Sequence, residues 1–184
     1  MKSYSFEPDK IWTVSDYMGI GISNEPVQLI HGKLTLSPAP SPLHQIITGN
    51  IFSILKDFAL RQQAKVFFSP IDLILSESIV LQPDLVFISN KKKEIITNRG
   101  IEGVPDLLVE VLSPSNSYID RVTKKEIYAA HGIPELWLVD PQSKQLEIYL
   151  PNVKEPYAVF NVNEIVNSYT IKNLEFKLEF IFNG

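Results

Sequence analysis

The sequence predicts a mixed α/β fold in which helices pack on a sheet, and two observations carry that reading. Ile46, Ile47, Ile51, Ile54, Leu55 and Phe58 recur at helical spacing, the mark of an amphipathic helix with one buried face. Two later runs, Leu85-Val86-Phe87-Ile88 and Leu107-Leu108-Val109, are continuously apolar, as strands covered on both faces are. The resulting order is helix, strand, strand, strand, helix, strand. A chain of 184 residues suits a single domain over 1–184.

Each element has its own signal. Thr13 to Met18 reads as a short capped helix, and Val27 to Leu36 as strand, turn, strand around His31-Gly32. The stretch Ser37-Pro38-Ala39-Pro40-Ser41-Pro42 cannot be helical and leads into the helix expected over Leu43 to Gln63. Val66 to Leu75 reads as one long strand or as two short ones broken near Pro70. Asp84 to Ser89 opens directly after Pro83, and Asp106 to Ser113 directly after Pro105. Ser115 or Asn116 is placed to cap a second helix, Tyr118 to His131, which Gly132 ends. Glu135 to Val139 is a further strand, closed by Asp140-Pro141, and Gln145 to Leu150 forms a hairpin with it. The tail from Leu174 to Phe180 alternates strictly, as a strand with one wet face does.

Composition removes several chemistries. There is no cysteine, so disulfides, thiolate nucleophiles and Cys-based metal centres are excluded. His31, His44 and His131 show no ligand spacing, which argues against a His-rich zinc site. The N-terminus has no signal-peptide h-region, and no run approaches the roughly 18 apolar residues of a membrane span. A soluble, cytoplasmic protein is expected. The formal charge of −4 argues against a general coat for nucleic acid, which needs positive charge against phosphate. Basic residues are nonetheless bunched locally, at Lys91-Lys92-Lys93 with Arg99 and at Arg121, Lys124 and Lys125.

Function is sought in residues that break the structural pattern. Glu110 sits inside the apolar run Leu107 to Leu112, where a carboxylate costs several kcal/mol unless it is paired or metal-bound. Asp84 heads its strand after Pro83, and Asp72 interrupts Ile71 and Leu73. On the second helix, about 100° per residue places Lys124 in the stripe that carries Ile127 and Tyr128. A lysine there needs a carboxylate or a polar cleft to keep its charge, and Glu110 and Asp84 are the candidates. Taken singly, each has a structural explanation: an ion-pair partner, a strand-start residue, a snorkelling lysine. Two acids on consecutive strands and a lysine on the next helix make a sharper case, because they can converge at one end of a sheet.

These residues carry a family resemblance. Gln82-Pro83-Asp84-Leu85-Val86-Phe87 and Gly103-Val104-Pro105-Asp106-Leu107-Leu108-Val109-Glu110-Val111-Leu112-Ser113-Pro114-Ser115 resemble the putative restriction endonuclease family of the PD-(D/E)XK nuclease superfamily. Asp120, Lys124, Tyr128 and the run from Gly132 to Pro141 continue the pattern in order, and Ser37-Pro38 and His44 fit it upstream. The resemblance implies a restriction endonuclease-like core of helix, three-stranded meander, helix and strand, with extra N-terminal and C-terminal strands. It also implies that Asp84 and Glu110 bind a metal ion, magnesium or manganese, and that Lys124 acts with them in catalysis. In the superfamily the lysine usually follows the glutamate by two positions. Leu112 stands there, and Lys124 on the helix matches instead. One departure is that Gln28, His31 and Lys33 occupy an early segment where the family usually has acids.

The expected activity is metal-dependent endonucleolytic hydrolysis of DNA, with Asp84 and Glu110 holding the ion and Lys124 assisting the attacking water or the transition state. Tyr128, Asp72, His44 and Asp120 are supporting candidates. Expected partners are DNA and a second copy of the chain, because cutting both strands of a duplex needs two sites. The alternative is a catalytically impaired nuclease-fold protein that binds DNA or a partner, and the changes at Gln28, His31 and Lys33 favour it. A third reading is an unrelated hydrolase of small phosphoesters.

Overall fold

The computed structural model describes residues 10–21, 26–113 and 119–183. Helix α1 (Val14–Ile20) starts where Thr13 and Asp16 form a capping box: the Thr13 hydroxyl accepts from the Asp16 N–H, and the Asp16 carboxylate takes the Thr13 N–H. Strands β1 (Val27–Ile30) and β2 (Lys33–Leu36) pair antiparallel through His31-Gly32, both at positive φ (50° and 76°), which a two-residue hairpin turn demands. Ser41 caps α2 (Pro42–Gln62), and Pro42, expected to lie outside the helix, takes its first position, where proline's missing N–H costs no helical hydrogen bond.

After α2 the chain forms β3 (Lys65–Phe68), β4 (Leu73–Ser76), β5 (Ile79–Leu81) and β6 (Leu85–Ile88). A 3-10 turn at Asn90–Ile95 leads to β7 (Ile96–Thr97), β8 (Gly100–Glu102) and β9 (Leu107–Val111). A π-helical segment, Ile119–Lys124, runs into α3 (Lys125–Ala130). Then come β10 (Leu136–Asp140), β11 (Gln145–Tyr149), β12 (Ala158–Asn161), β13 (Ile165–Asn167), β14 (Glu175–Lys177) and the short α4 (Glu179–Phe182).

Where one sheet is expected, the strands form two six-stranded sheets and a separate hairpin. The first sheet has the order β12-β11-β10-β9-β6-β3, the second β2-β1-β5-β4-β8-β7, and β13 pairs with β14. The region from Val66 to Leu75 resolves into two short strands, and they enter different sheets. The expected meander is present as β3, β6 and β9, consecutive antiparallel neighbours, with β10 parallel to β9 after the helix. The chain leaves that meander twice to build the second sheet, through β4-β5 and through β7-β8.

This doubling explains the continuously apolar strands. Leu85, Phe87, Leu107 and Val109 face a core shared with Ile47, Ile51 and Leu55 of α2. Val86, Ile88 and Leu108 face the opposite way, onto Leu73 and Leu81 of the second sheet and Ile127 and Tyr128 of α3. Both faces of the central strands are therefore dry, and period-2 alternation vanishes from them.

Two local expectations change. The second helix opens as π-helix before settling into α3, and its expected start at Tyr118 and caps Ser115 and Asn116 lie outside the described residues. Its end is as expected, with Gly132 at φ 69° and its N–H bonded to the Ala129 carbonyl. The C-terminal strand is three residues long and gives way to α4, because the buried Leu178 is followed by a second buried residue at Ile181 and not at Phe180. Among the described residues, no helix is long and apolar enough to cross a membrane.

Candidate active site

Strands β6 and β9 run antiparallel in the register Leu85↔Val109 and Val86↔Leu108. Extended by one pair, that register puts Asp84 opposite Glu110. Both fall on the face shared with Val86 and Leu108, the one that α3 and the second sheet cover. The Val111 N–H donates to Asp84 Oδ2 at 2.7 Å, so the strand backbone itself fixes the aspartate.

Glu110 and Lys124 are both buried, 2% and 4% exposed. The Lys124 ammonium donates to Glu110 Oε1 at 2.9 Å and to Oε2 at 3.0 Å. Tyr128, one turn further along the helix, donates its hydroxyl to Glu110 Oε1 at 2.6 Å. A carboxylate inside a doubly covered strand is thus held by an ammonium and a phenol from one helix face, which offsets the cost of removing it from water. His44, on the first turn of α2, lies with Nε2 3.1 Å from Asp84 Oδ2. Thr48 Oγ1 is 3.4 Å from His44 Nδ1, one helical turn away.

Asp84, Glu110, Lys124 and His44 line one cavity of about 660 Å³. Its other walls come from the proline-rich connection, where Pro38 and Pro40 stand, and from Phe52 and Phe68. The structure therefore brings together Asp84, Glu110, Lys124, Tyr128 and His44. Asp72 is not brought there. Its Oδ1 takes hydrogen bonds from the Tyr17 hydroxyl and from Gln82 Nε2, both at 2.9 Å, and it lines a second cavity of about 530 Å³. Burial, aided by the Asp72 charge, pushes the Tyr17 hydroxyl pKa up. Asp72 also dictates a glycine: a Cβ on Gly100, at φ 140°, would stand 2.5 Å from the Asp72 carbonyl oxygen. The side chain of Asp120 lies outside the described residues.

Gln82 belongs to this region although the sequence gives it no role of its own. It lines both cavities and stands two residues before Asp84, in the link between β5 and β6. Gln28 braces Gln82 from the neighbouring strand. The Gln28 Oε1 accepts from the Gln82 N–H at 2.9 Å, and its Nε2 donates to Ser37 at 2.7 Å. None of Gln28, His31 and Lys33 is among the residues lining the Asp84 cavity. The run Lys91 to Lys93 follows the far end of β6, away from Asp84, and Lys92 is engaged with Asp106 and the carbonyls of Val104 and Pro105.

Among the described residues no group of three or more His, Asp or Glu side chains is poised to share a metal ion. What the cavity offers is a pair of carboxylates. That donor set suits magnesium, which takes hard oxygen ligands, keeps several waters and is commonly held by one or two carboxylates plus substrate phosphate. Asp84 fits such a role, because both of its hydrogen bonds fall on Oδ2 and Oδ1 has none among the described residues.

Residues 22–179 match the Uma2 family, described as "Putative restriction endonuclease". The fold matches the crystal structure of a putative nuclease from Anabaena variabilis with a TM-score of 0.78 at 20% sequence identity, over 92% of this chain and 97% of that one. No curated protein matches the sequence.

Proposed function

The chain belongs to the Uma2 family of putative restriction endonucleases, and from that premise we propose that it is a metal-dependent endonuclease that hydrolyses DNA phosphodiester bonds, built as one domain over 1–184. The observation that carries this reading is the meeting of Asp84, Glu110 and Lys124 in one cavity, with Lys124 bonded to both oxygens of Glu110.

Asp84 and Glu110 are the residues that would hold magnesium or manganese. Such an ion, when bound, lowers the pKa of its water toward neutrality and polarises the phosphate oxygens. The chain's own groups do the rest. The Val111 N–H and His44 anchor Asp84 through Oδ2 and so aim Oδ1 away from them. Tyr128 fixes the rotation of Glu110. Lys124 balances the Glu110 charge through both carboxylate oxygens, and it supplies a positive charge to orient the attacking water or to stabilise charge growing on the phosphate. DNA binding should be weak without metal and should fall with salt, because the acidic chain offers few phosphate contacts.

The test is nicking of supercoiled plasmid by purified protein with magnesium or manganese, compared with Glu110→Ala. Cutting by the wild type alone is the expected result; equal activity in both would sink the assignment. A homodimer is part of the proposal, and a monomer in light scattering at assay concentration would remove it. A second reading has its own observation. Glu110 is already engaged by Lys124 and Tyr128, an arrangement that also suits a nuclease-fold protein that binds DNA or a partner without cutting it. Calorimetry with magnesium separates the two, since a binding module shows no metal uptake at Asp84 and Glu110.

A further inference from the structure

Resting on the nuclease reading, we infer that the substrate strand enters this cavity unpaired, with a nucleobase seated on Phe68 and Phe52. Phe68 ends β3, at the same end of the sheet as Asp84, and its side chain is 60% exposed although it is a phenylalanine. Phe52 of α2 meets it edge to face, with ring centroids 5.1 Å apart. Both rings line the cavity that holds Asp84, Glu110 and Lys124. An exposed aromatic face is what a stacked base requires, since every base offers a π-face to a ring, and here that face stands in the cavity of the two acids.

The charges of the cavity point the same way. Lys124 is the one Lys or Arg among the described lining residues, and it is bonded to Glu110. A protein that grips duplex DNA does so chiefly through cations on the phosphates, and this wall offers prolines and phenylalanines instead. The volume of about 660 Å³ lies within the range of roughly 300–1,000 Å³ typical of sites that enclose a small molecule. It therefore suits a nucleotide drawn out of a stack and not an intact double helix. Single-stranded DNA, a frayed end or a flipped nucleotide presents that form, and a base inside a duplex does not.

The experiment compares a fluorescein-labelled single-stranded oligodeoxynucleotide of mixed sequence with its blunt duplex. Anisotropy is read with calcium in place of magnesium, and a gel shows that the probe stays intact; cutting of the same two probes is then read with magnesium. The single strand should bind at least tenfold more tightly. Phe68→Ala should weaken its binding roughly 5- to 150-fold, the range of a lost base–aromatic stack. Phe68→Leu keeps an apolar contact on Phe52 and should lose binding too, whereas Phe68→Trp should retain it, and melting temperatures show that each variant is folded. Equal binding of both probes, no binding of either, or indifference to Phe68→Ala in a folded protein overturns the inference. Duplex cutting that ignores Phe68 overturns it while leaving the nuclease reading intact. Phe68-dependent binding of the single strand without any cutting has the opposite meaning: the nuclease reading fails and the base site stands.

Discussion

Lys124 holds Glu110 by both oxygens, at 2.9 and 3.0 Å, across an interior from which water is almost wholly excluded. The pair sits where a helix face meets the middle of a sheet, and each charge offsets the cost of burying the other. A functional metal site would change that balance, because a divalent cation beside Glu110 supplies positive charge of its own. Stability and metal binding would then be linked through one carboxylate.

Replacing Lys124 by alanine should expose that link. The substitution removes the ammonium that donates to both Glu110 oxygens from a buried pair, which costs about 3 kcal/mol or more. For a chain of this size the loss corresponds to a fall of roughly 6–12 °C in Tm. Differential scanning calorimetry with chelator should show the full loss, and magnesium should raise the Tm of Lys124→Ala by more than it raises the wild type. An identical magnesium response in both proteins would show that no ion binds at Glu110.

His44 gives a milder prediction. Its Nε2 touches the same oxygen of Asp84 that the Val111 N–H does, so it orients the aspartate without standing in for it. Removing an outer partner of a metal ligand typically costs 10–100-fold in affinity or activity. His44→Ala should therefore weaken magnesium uptake within that range, read by isothermal titration, while the melting temperature moves little. Asp84→Ala should abolish uptake.

How far the sequence discloses this site depends on which residues are asked. Three Pro–acid pairs open strands, at Pro83-Asp84, Pro105-Asp106 and Pro134-Glu135, and nothing local tells them apart. Only the pairing of the strands does: β6 runs antiparallel to β9, so Asp84 comes opposite Glu110 while Asp106 is left at the other end, bonded to Lys92 and the Ser89 N–H. Lys124 was legible because a charge in an apolar helical stripe needs a partner, and the stripe survives across the junction, with Lys124 closing the π-helical segment and Ile127 and Tyr128 standing in α3. The capping box and the His31-Gly32 turn were legible because their chemistry is local. The split into two sheets was not, since Val66 and Leu73 look alike in sequence and only tertiary pairing sends them to different partners. Phe68 was hidden for the same reason, as an exposed ring in a strand acquires meaning only beside the cavity it lines.

At the other end of the chain, Asp16 predicts a pH response. Its hydrogen bond from Lys10 first, and those from Thr13 next, lower its pKa to about 2 from the ordinary 3.8. A carboxyl with a depressed folded pKa binds fewer protons folded than unfolded across that interval, so its contribution is present above about pH 4 and is lost as pH falls toward 2. Denaturant unfolding of wild type and Asp16→Asn should differ at pH 6 and converge by pH 2. A constant difference across that range would mean that the capping charge does not stabilise α1.

Glu135 separates stability from activity. It is fully buried, yet it faces no lysine or arginine among the described residues. Instead Oε1 accepts from the Trp137 indole at 2.6 Å, and Oε2 accepts from Ser168, from the Tyr169 and Thr170 N–H groups and from the Thr170 hydroxyl, all within 3.0 Å. The carboxylate ties the loop after β13 to the start of β10, three residues before Leu138, the residue paired with Glu110. Glu135→Ala would strand several buried donors at roughly 1–3 kcal/mol each. Glu135→Gln would turn an amide NH₂ toward groups that also donate. Urea unfolding should therefore show a loss of about 3 kcal/mol or more for Glu135→Ala and a smaller loss for Glu135→Gln. Magnesium affinity at about 10 °C, near the usual temperature of maximum stability, should stay within roughly twofold of wild type, because nothing in this network touches Asp84 or Glu110. A loss of about tenfold in magnesium affinity, or ~1.4 kcal/mol, in folded Glu135→Gln would show that this network and the site at Asp84 and Glu110 are coupled.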